Sequence, residues 1–298
     1  MSEALEQRIA AMLSRRVDPA VAAQARVLGE EAGALAVLFY GSNLRTGSLE
    51  GVLDYYLLMP GPPENGLWPR VAYREWDDAG VRLRAKIATV TLAKFADAAA
   101  GRTLDTTIWA RFVQPSALVW QRGEACGAAV AAAIADAART AARLAVALGP
   151  PRGTADAYWR FLFRATYRAE LRVEPPGREA AILSANPEHF DGLLNAALGS
   201  AGIAYAADGA TLGPQMAPEE RRRVLRWWRL RRAAGKTLNA LRLVRAAGTF
   251  DGAARYAAWK IERHTGVAVE VTRWREKHPV LAAPRVLWTV WRRQKHAR

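Results

Sequence analysis

The sequence predicts a mixed α/β fold, with a strand-containing amino-terminal domain over 1–120, a helical domain over 121–215, and a basic, tryptophan-bearing helical region over 216–298. Three observations predict it. Two apolar runs, Ala34 to Tyr40 and Val52 to Met59, have the length and the glycine- or proline-marked ends of buried strands. Residues 122–148 are alanine-rich, with apolar positions at helical period. Charge is segregated: residues 221–298 hold 21 Lys and Arg against 4 Asp and Glu, whereas residues 1–220 hold 22 against 24. The basic end is therefore the part expected to concentrate an anionic partner.

At 298 residues and 51% hydrophobic, the chain has enough apolar mass for a sizeable core. Residues 4–32 carry apolar positions at helical spacing, interrupted at Asp18-Pro19. There Asp18 can cap a second helix opened by proline. A polar loop joins the two apolar strands. After a Pro- and Gly-rich loop, Val81 to Val90 alternates as a strand, with Arg82, Arg84, Lys86 and Ala88 on one face. The long alanine-rich helix ends at Gly149-Pro150-Pro151, and 155–172 and 186–198 read as further helices. The last quarter reads as helices broken at Gly235, Gly248, Gly252 and Gly266.

Composition also narrows the chemistry. The single Cys126 excludes an internal disulfide, and His189, His264, His278 and His296 lack ligand spacing, so a structural zinc site is not expected. The amino terminus lacks the order of a secretory signal, and no uninterrupted apolar stretch of about 18 residues occurs, which predicts no spanning helix. Gly235-Lys236-Thr237 resembles the end of a phosphate loop, but the glycine needed five residues earlier is Leu230.

The most specific motif is Leu38-Phe39-Tyr40-Gly41-Ser42, followed after eleven residues by Asp54 inside an apolar strand. This matches the nucleotidyltransferase signature and predicts a nucleotidyltransferase-like mixed sheet. A glycine at a strand end lets backbone approach phosphate, and the following serine can bind it. An aspartate on the next strand can hold Mg²⁺ against a nucleoside triphosphate. An aspartate in such an apolar run is costly to bury without a partner. The position two after it, where the broader signature has a second carboxylate, is Tyr56. Asp105 and Glu170, and more weakly Glu75, Asp77 and Asp78, are the acidic residues considered for completing a metal site.

The chain resembles the mitochondrial-type phosphatidate cytidylyltransferases in four separated segments. These are Phe39-Tyr40-Gly41-Ser42 with Leu53-Asp54-Tyr55-Tyr56-Leu57-Leu58, then Lys86-Ile87-Ala88-Thr89-Val90, Ala100-Gly101-Arg102, and Ala165-Thr166-Tyr167-Arg168-Ala169-Glu170-Leu171-Arg172. The family too has a hydrophobic residue two after the aspartate. Asn43 stands where the family has glycine, and Glu170 where it has aspartate. The resemblance covers roughly residues 30–200. It implies CTP as donor, phosphatidate as acceptor, CDP-diacylglycerol and pyrophosphate as products, and Mg²⁺ as cofactor, within phospholipid and cardiolipin synthesis. It implies catalytic roles for Asp54, Lys86 and Arg102, nucleotide contacts from Tyr40, Gly41, Ser42 and Arg172, and metal contacts from Asp54 and Glu170.

Residues 221–232 hold seven arginines with Trp227 and Trp228, and Trp288 and Trp291 precede Arg292-Arg293. Arginine pairs with anionic headgroups while tryptophan sinks into the headgroup boundary, so Arg226, Trp227, Trp228, Trp288 and Trp291 are expected to contact an anionic membrane surface. With no leader or spanning helix in the sequence, the expected location is cytoplasmic, peripheral on the inner face of the membrane. Nucleic acid is the less favoured partner, although interleaved Arg and Trp suit it. Two alternatives stand beside the lipid enzyme. One is a nucleotidyltransferase acting on RNA, protein or a small molecule, and the other is a non-catalytic relative that binds nucleotide or membrane.

Overall fold

The computed structural model describes residues 2–65, 70–169, 178–249, 252–277 and 279–296. Two helices lead, α1 (Ser2–Leu13) and α2 (Pro19–Ala32). Asp18 caps the second through a 2.8 Å bond from the Ala20 amide to its carboxylate, with Pro19 in the first turn. There follow β1 (Ala36–Tyr40), α3 (Ser42–Thr46), β2 (Leu53–Met59), β3 (Arg70–Asp78), β4 (Val81–Thr91), α4 (Leu92–Ala99), α5 (Thr107–Phe112), β5 (Ser116–Gln121) and α6 (Glu124–Leu148).

The five strands form one mixed sheet in the order β3-β4-β2-β1-β5, parallel only between β2 and β4. One face sets Leu38, Tyr56, Leu58, Ala88 and Val90 against α1, α4, α5 and α6. The other sets Val37, Phe39, Tyr55, Leu57 and Ile87 against α2. Removing such side chains from water at roughly 25 cal/mol per Å² is what holds sheet and helices together.

The remaining elements are β6 (Gly153–Thr154), α7 (Ala155–Ala169), α8 (Arg178–Ser184), α9 (Pro187–Phe190), α10 (Leu193–Ser200), β7 (Tyr205–Asp208), β8 (Thr211–Pro214), α11 (Pro218–Thr249), α12 (Ala253–Thr265), α13 (Arg273–Lys277) and α14 (Pro279–His296). The strands β6, β8 and β7 make a small second sheet. The main core is continuous from Leu5 through α6, α7 and α10 to Trp228 on α11.

Several sequence expectations need correction. The segment before Val81, read as loop, holds β3; its alternation of charged and aromatic residues suits an edge strand with only Tyr73 buried. It turns into β4 through Ala79 and Gly80, both at positive φ (46° and 82°), the geometry of a tight hairpin. β5 was not anticipated either. Gly235 and Gly248 do not break a helix, since α11 runs through both. At Gly235 a β-carbon would sit 2.4 Å from the Ala169 carbonyl oxygen, so this glycine permits close approach of α11 to α7. Gly252 and Gly266 do bound a helix, as the caps of α12. Among the described residues one helix, α6, is long and apolar enough to cross a membrane by length and composition; half of its most apolar window is buried, and it is the central core helix.

Candidate functional site

Strand register places five residues in one row across one face of the sheet. Tyr40 pairs with Ser116 on one side and Asp54 on the other, Asp54 pairs with Lys86, and Lys86 pairs with Tyr73. Because cross-strand partners share a face, Asp54 lies between Tyr40 and Lys86. The expected face of β4 is present, with its cations divided between two uses. Arg82 bonds Asp77 at 2.6 Å and Arg84 lies 3.4 Å from Glu75, so β3 carboxylates engage both, while Lys86 is set beside Asp54.

The corner above Asp54 is built by Gly41. Its φ of +93° is closed to most side chains, and a β-carbon there would stand 3.0 Å from Asp54 Oδ2. Ser42 is exposed at the start of α3. Asn43 is buried, and its side-chain amide donates to the carbonyls of Ser48 and Glu50 at 2.7 and 2.8 Å, which ties the loop leading into β2. Asparagine at this position thus has a structural use of its own.

The electrostatics follow from burial. Asp54 is half-buried at the sheet end, and loss of water pushes its carboxyl above the usual carboxylate range, against the pull of Lys86 and Arg111. Burial likewise pushes the Lys86 ammonium down; Asp54 opposes this, and Arg111 and Lys260 add to it. Arg111 was not singled out from sequence. It reaches across from α5, donates to the Tyr40 hydroxyl at 2.8 Å and lies 5.0 Å from that ring's centre. The Tyr40 phenol is pushed up to about 12, chiefly by burial.

Other expected residues are placed differently. Arg102 is 60% exposed, bonds Asp97 at 2.8 Å and is not among the charges acting on Asp54; Arg111 is the arginine that acts there. The Ala100-Gly101-Arg102 segment instead receives α11, since the Gly101 carbonyl accepts from Trp227 Nε1 at 2.9 Å and from Arg231 at 2.6 Å. Asp105 opens α5, accepting from the Thr107 amide and hydroxyl at 3.1 and 2.7 Å. Glu75 accepts from the Tyr73 hydroxyl at 2.8 Å, and Asp77 is taken by Arg82, so neither is directed to Asp54. Asp78 sits exposed at the β3–β4 turn. Glu170 and Arg172 lie outside the described residues, as does the side chain of Trp291.

Of the two tryptophans of α11 expected at a membrane surface, Trp228 is buried and Trp227 is partly exposed. Trp228 is 3% exposed and both rings pack on Trp109, at 6.0 and 6.3 Å between centroids. A buried indole has no surface to give a bilayer. Arg226 and Trp288 are exposed.

Among the described residues no three His, Cys, Asp or Glu side chains come together as a metal-binding group. Asp54 is thus the lone carboxylate of the row. Such a set fits Mg²⁺ only where phosphate oxygens and water complete the shell, which is this ion's habit. No protein-family model matches the chain, and no curated protein matches it.

Proposed function

We propose that the chain is a nucleotidyltransferase that transfers a cytidylyl group from CTP to phosphatidate, releasing pyrophosphate and forming CDP-diacylglycerol. One observation carries the reading: Asp54 and Lys86 stand side by side on parallel strands, next to a glycine corner whose missing side chain leaves room at Asp54 Oδ2. A carboxylate able to share a metal with phosphate, flanked by Lys86 and Arg111, suits a triphosphate whose α-phosphorus is attacked in line. An acceptor phosphate oxygen forms the new bond to that phosphorus as the bond to the bridging β-phosphate oxygen breaks, and pyrophosphate carries the electron pair away.

Bound Mg²⁺ would supply charge neutralisation across the triphosphate. Asp54 is the residue that would hold it. Lys86 and Arg111 offset negative charge on the phosphates, and Tyr40 orients Arg111 through its hydroxyl. The exposed Arg226 and Trp288 support peripheral docking on an anionic bilayer, on the cytoplasmic side.

The test is pyrophosphate release from CTP, phosphatidate and Mg²⁺ with the purified chain and with Asp54→Ala. Release that survives in the variant would discard the assignment of Asp54, and release without lipid would redirect the reading to a non-lipid acceptor. A second reading, nucleotide binding without turnover, draws on the lone carboxylate and on Tyr56 in the neighbouring position. CTP binding with no product across a panel of phospholipid acceptors would favour it.

A further inference from the structure

The basic carboxy-terminal region does not only sit on the outside of the molecule. α12 lies across the sheet face that carries Asp54, and four contacts fix its path. At its start, a β-carbon on Gly252 would meet the Tyr73 carbonyl oxygen at 2.8 Å, and the Tyr256 ring lies 5.4 Å from the Tyr73 ring. Midway, the Arg84 guanidinium lies 5.6 Å from the Trp259 ring. Near its end, Arg263 approaches Gly51, where a β-carbon would lie 2.9 Å from Nη1. The helix therefore passes from β3 over β4 to the entry of β2.

Tyr256 and Lys260 are one helical turn apart and so share a face, with the Lys260 ammonium 6.0 Å from the Tyr256 ring. Tyr73, which Tyr256 packs on, is the cross-strand partner of Lys86. The face of α12 that bears Lys260 is thereby turned toward the Asp54–Lys86 row. Neither Lys86 nor Lys260 makes an ion pair with a carboxylate among the described residues, whereas Arg82 and Arg84 beside them do. Lys260 also acts on Lys86 as a like charge, which places the two ammoniums within electrostatic reach.

The Lys86 ammonium, which also faces Asp54, and the Lys260 ammonium repel one another, and an anion between them removes that repulsion and gains charge-assisted hydrogen bonds from both. We infer that α12 forms the second wall of the site and that Lys260 and Lys86 together make a subsite for a phosphate group. This rests on the nucleotidyltransferase reading and deepens it by assigning a phosphate to a wall contributed from the basic region. The phosphate belongs either to the nucleotide or to the acceptor, and both offer the same chemistry.

The experiment is calorimetric titration of the full chain and its Lys260→Ala and Lys260→Arg variants with three probes: CTP, inorganic pyrophosphate and glycerol 3-phosphate. Lys260 is exposed, so its replacement leaves folding intact, checked by an unchanged melting temperature. The expected result is a loss of about 10-fold or more in affinity for at least one phosphate probe in the alanine variant, substantially restored by arginine. A loss confined to CTP and pyrophosphate assigns the donor's phosphates, and a loss confined to glycerol 3-phosphate assigns the acceptor's. Wild-type affinities in the alanine variant for every probe that the parent binds would overturn the subsite and leave the nucleotidyltransferase reading standing. A parent chain that binds none of the probes would overturn both.

Discussion

Asp54 Oδ2 lies 3.0 Å from the place a β-carbon on Gly41 would take, so glycine and carboxylate are fitted to one another across the β1–β2 pair. Gly41→Ala introduces both a strained φ and a contact against the carboxylate. The expected outcome is a loss of about 1–3 kcal/mol of stability, read by denaturant unfolding, with pyrophosphate release falling further than the lost folded fraction explains.

Replacing the carboxylate itself is expected to have the opposite effect on stability. Because burial raises the Asp54 pKa in the folded chain, the neutral form is favoured there. Its contribution is fully present below the unfolded pKa of about 3.9 and is lost as pH rises through the folded value. Asp54→Asn should therefore stabilise the chain at neutral pH, by about 0.5–2 kcal/mol, and abolish turnover. The gain should vanish as pH falls through the raised pKa, where native Asp54 is itself neutral. Melting temperatures across pH 3–8 check this (the range spans the roughly 3.9 reference value).

Lys86 and Arg111 both hold the Asp54 carboxyl down against burial, with Tyr40 and Tyr256 the titratable phenols nearby. Removing one of these cations in Lys86→Met should raise the Asp54 pKa further. The acid limb of residual activity should move to higher pH, and a carbon-detected NMR titration of the carboxyl should move with it. A limb that stays in place would separate the two residues electrostatically.

Asn43→Ala removes two buried bonds, to the carbonyls of Ser48 and Glu50. Leaving those acceptors without the amide should cost about 1–3 kcal/mol. The loop that leads into β2 should exchange its amide hydrogens faster, measured by hydrogen exchange of residues 47–51.

Trp228→Ala should act on the core, with a loss of about 3–5 kcal/mol by thermal or denaturant unfolding. Arg226→Glu should act on the surface, lowering affinity for vesicles containing anionic lipid and leaving stability near that of the parent. Vesicle affinity unchanged by Arg226→Glu would remove that residue from any membrane contact.

What the sequence disclosed divides along physical lines. The Asp18 cap, the strands ending at Tyr40 and beginning at Leu53, the shared face of Arg82, Arg84 and Lys86, and the long alanine-rich helix are local patterns, and all are present. β3 was missed because an edge strand with charged residues opposite Arg82 and Arg84 carries little apolar alternation. Arg111, Tyr256 and Lys260 were missed because nothing in their spacing ties them to Asp54, and only tertiary packing of α5 and α12 brings them near. The tryptophans of α11 also have a use that their spacing does not disclose. Arginine with tryptophan reads as an interface, but Trp227 and Arg231 spend their donors on the carbonyl of Gly101, far away in sequence.

That last attachment bears on how the protein can be divided. Arg231 also donates to the Thr103 carbonyl at 2.6 Å, and Trp109 packs against both indoles of α11. A fragment cut before Pro218, made to separate the sheet-bearing part from a basic appendage, would strip the lining from Trp109 and orphan two carbonyl acceptors. The appendage is a strut, and shortening the chain there should yield aggregated material in place of a smaller folded protein.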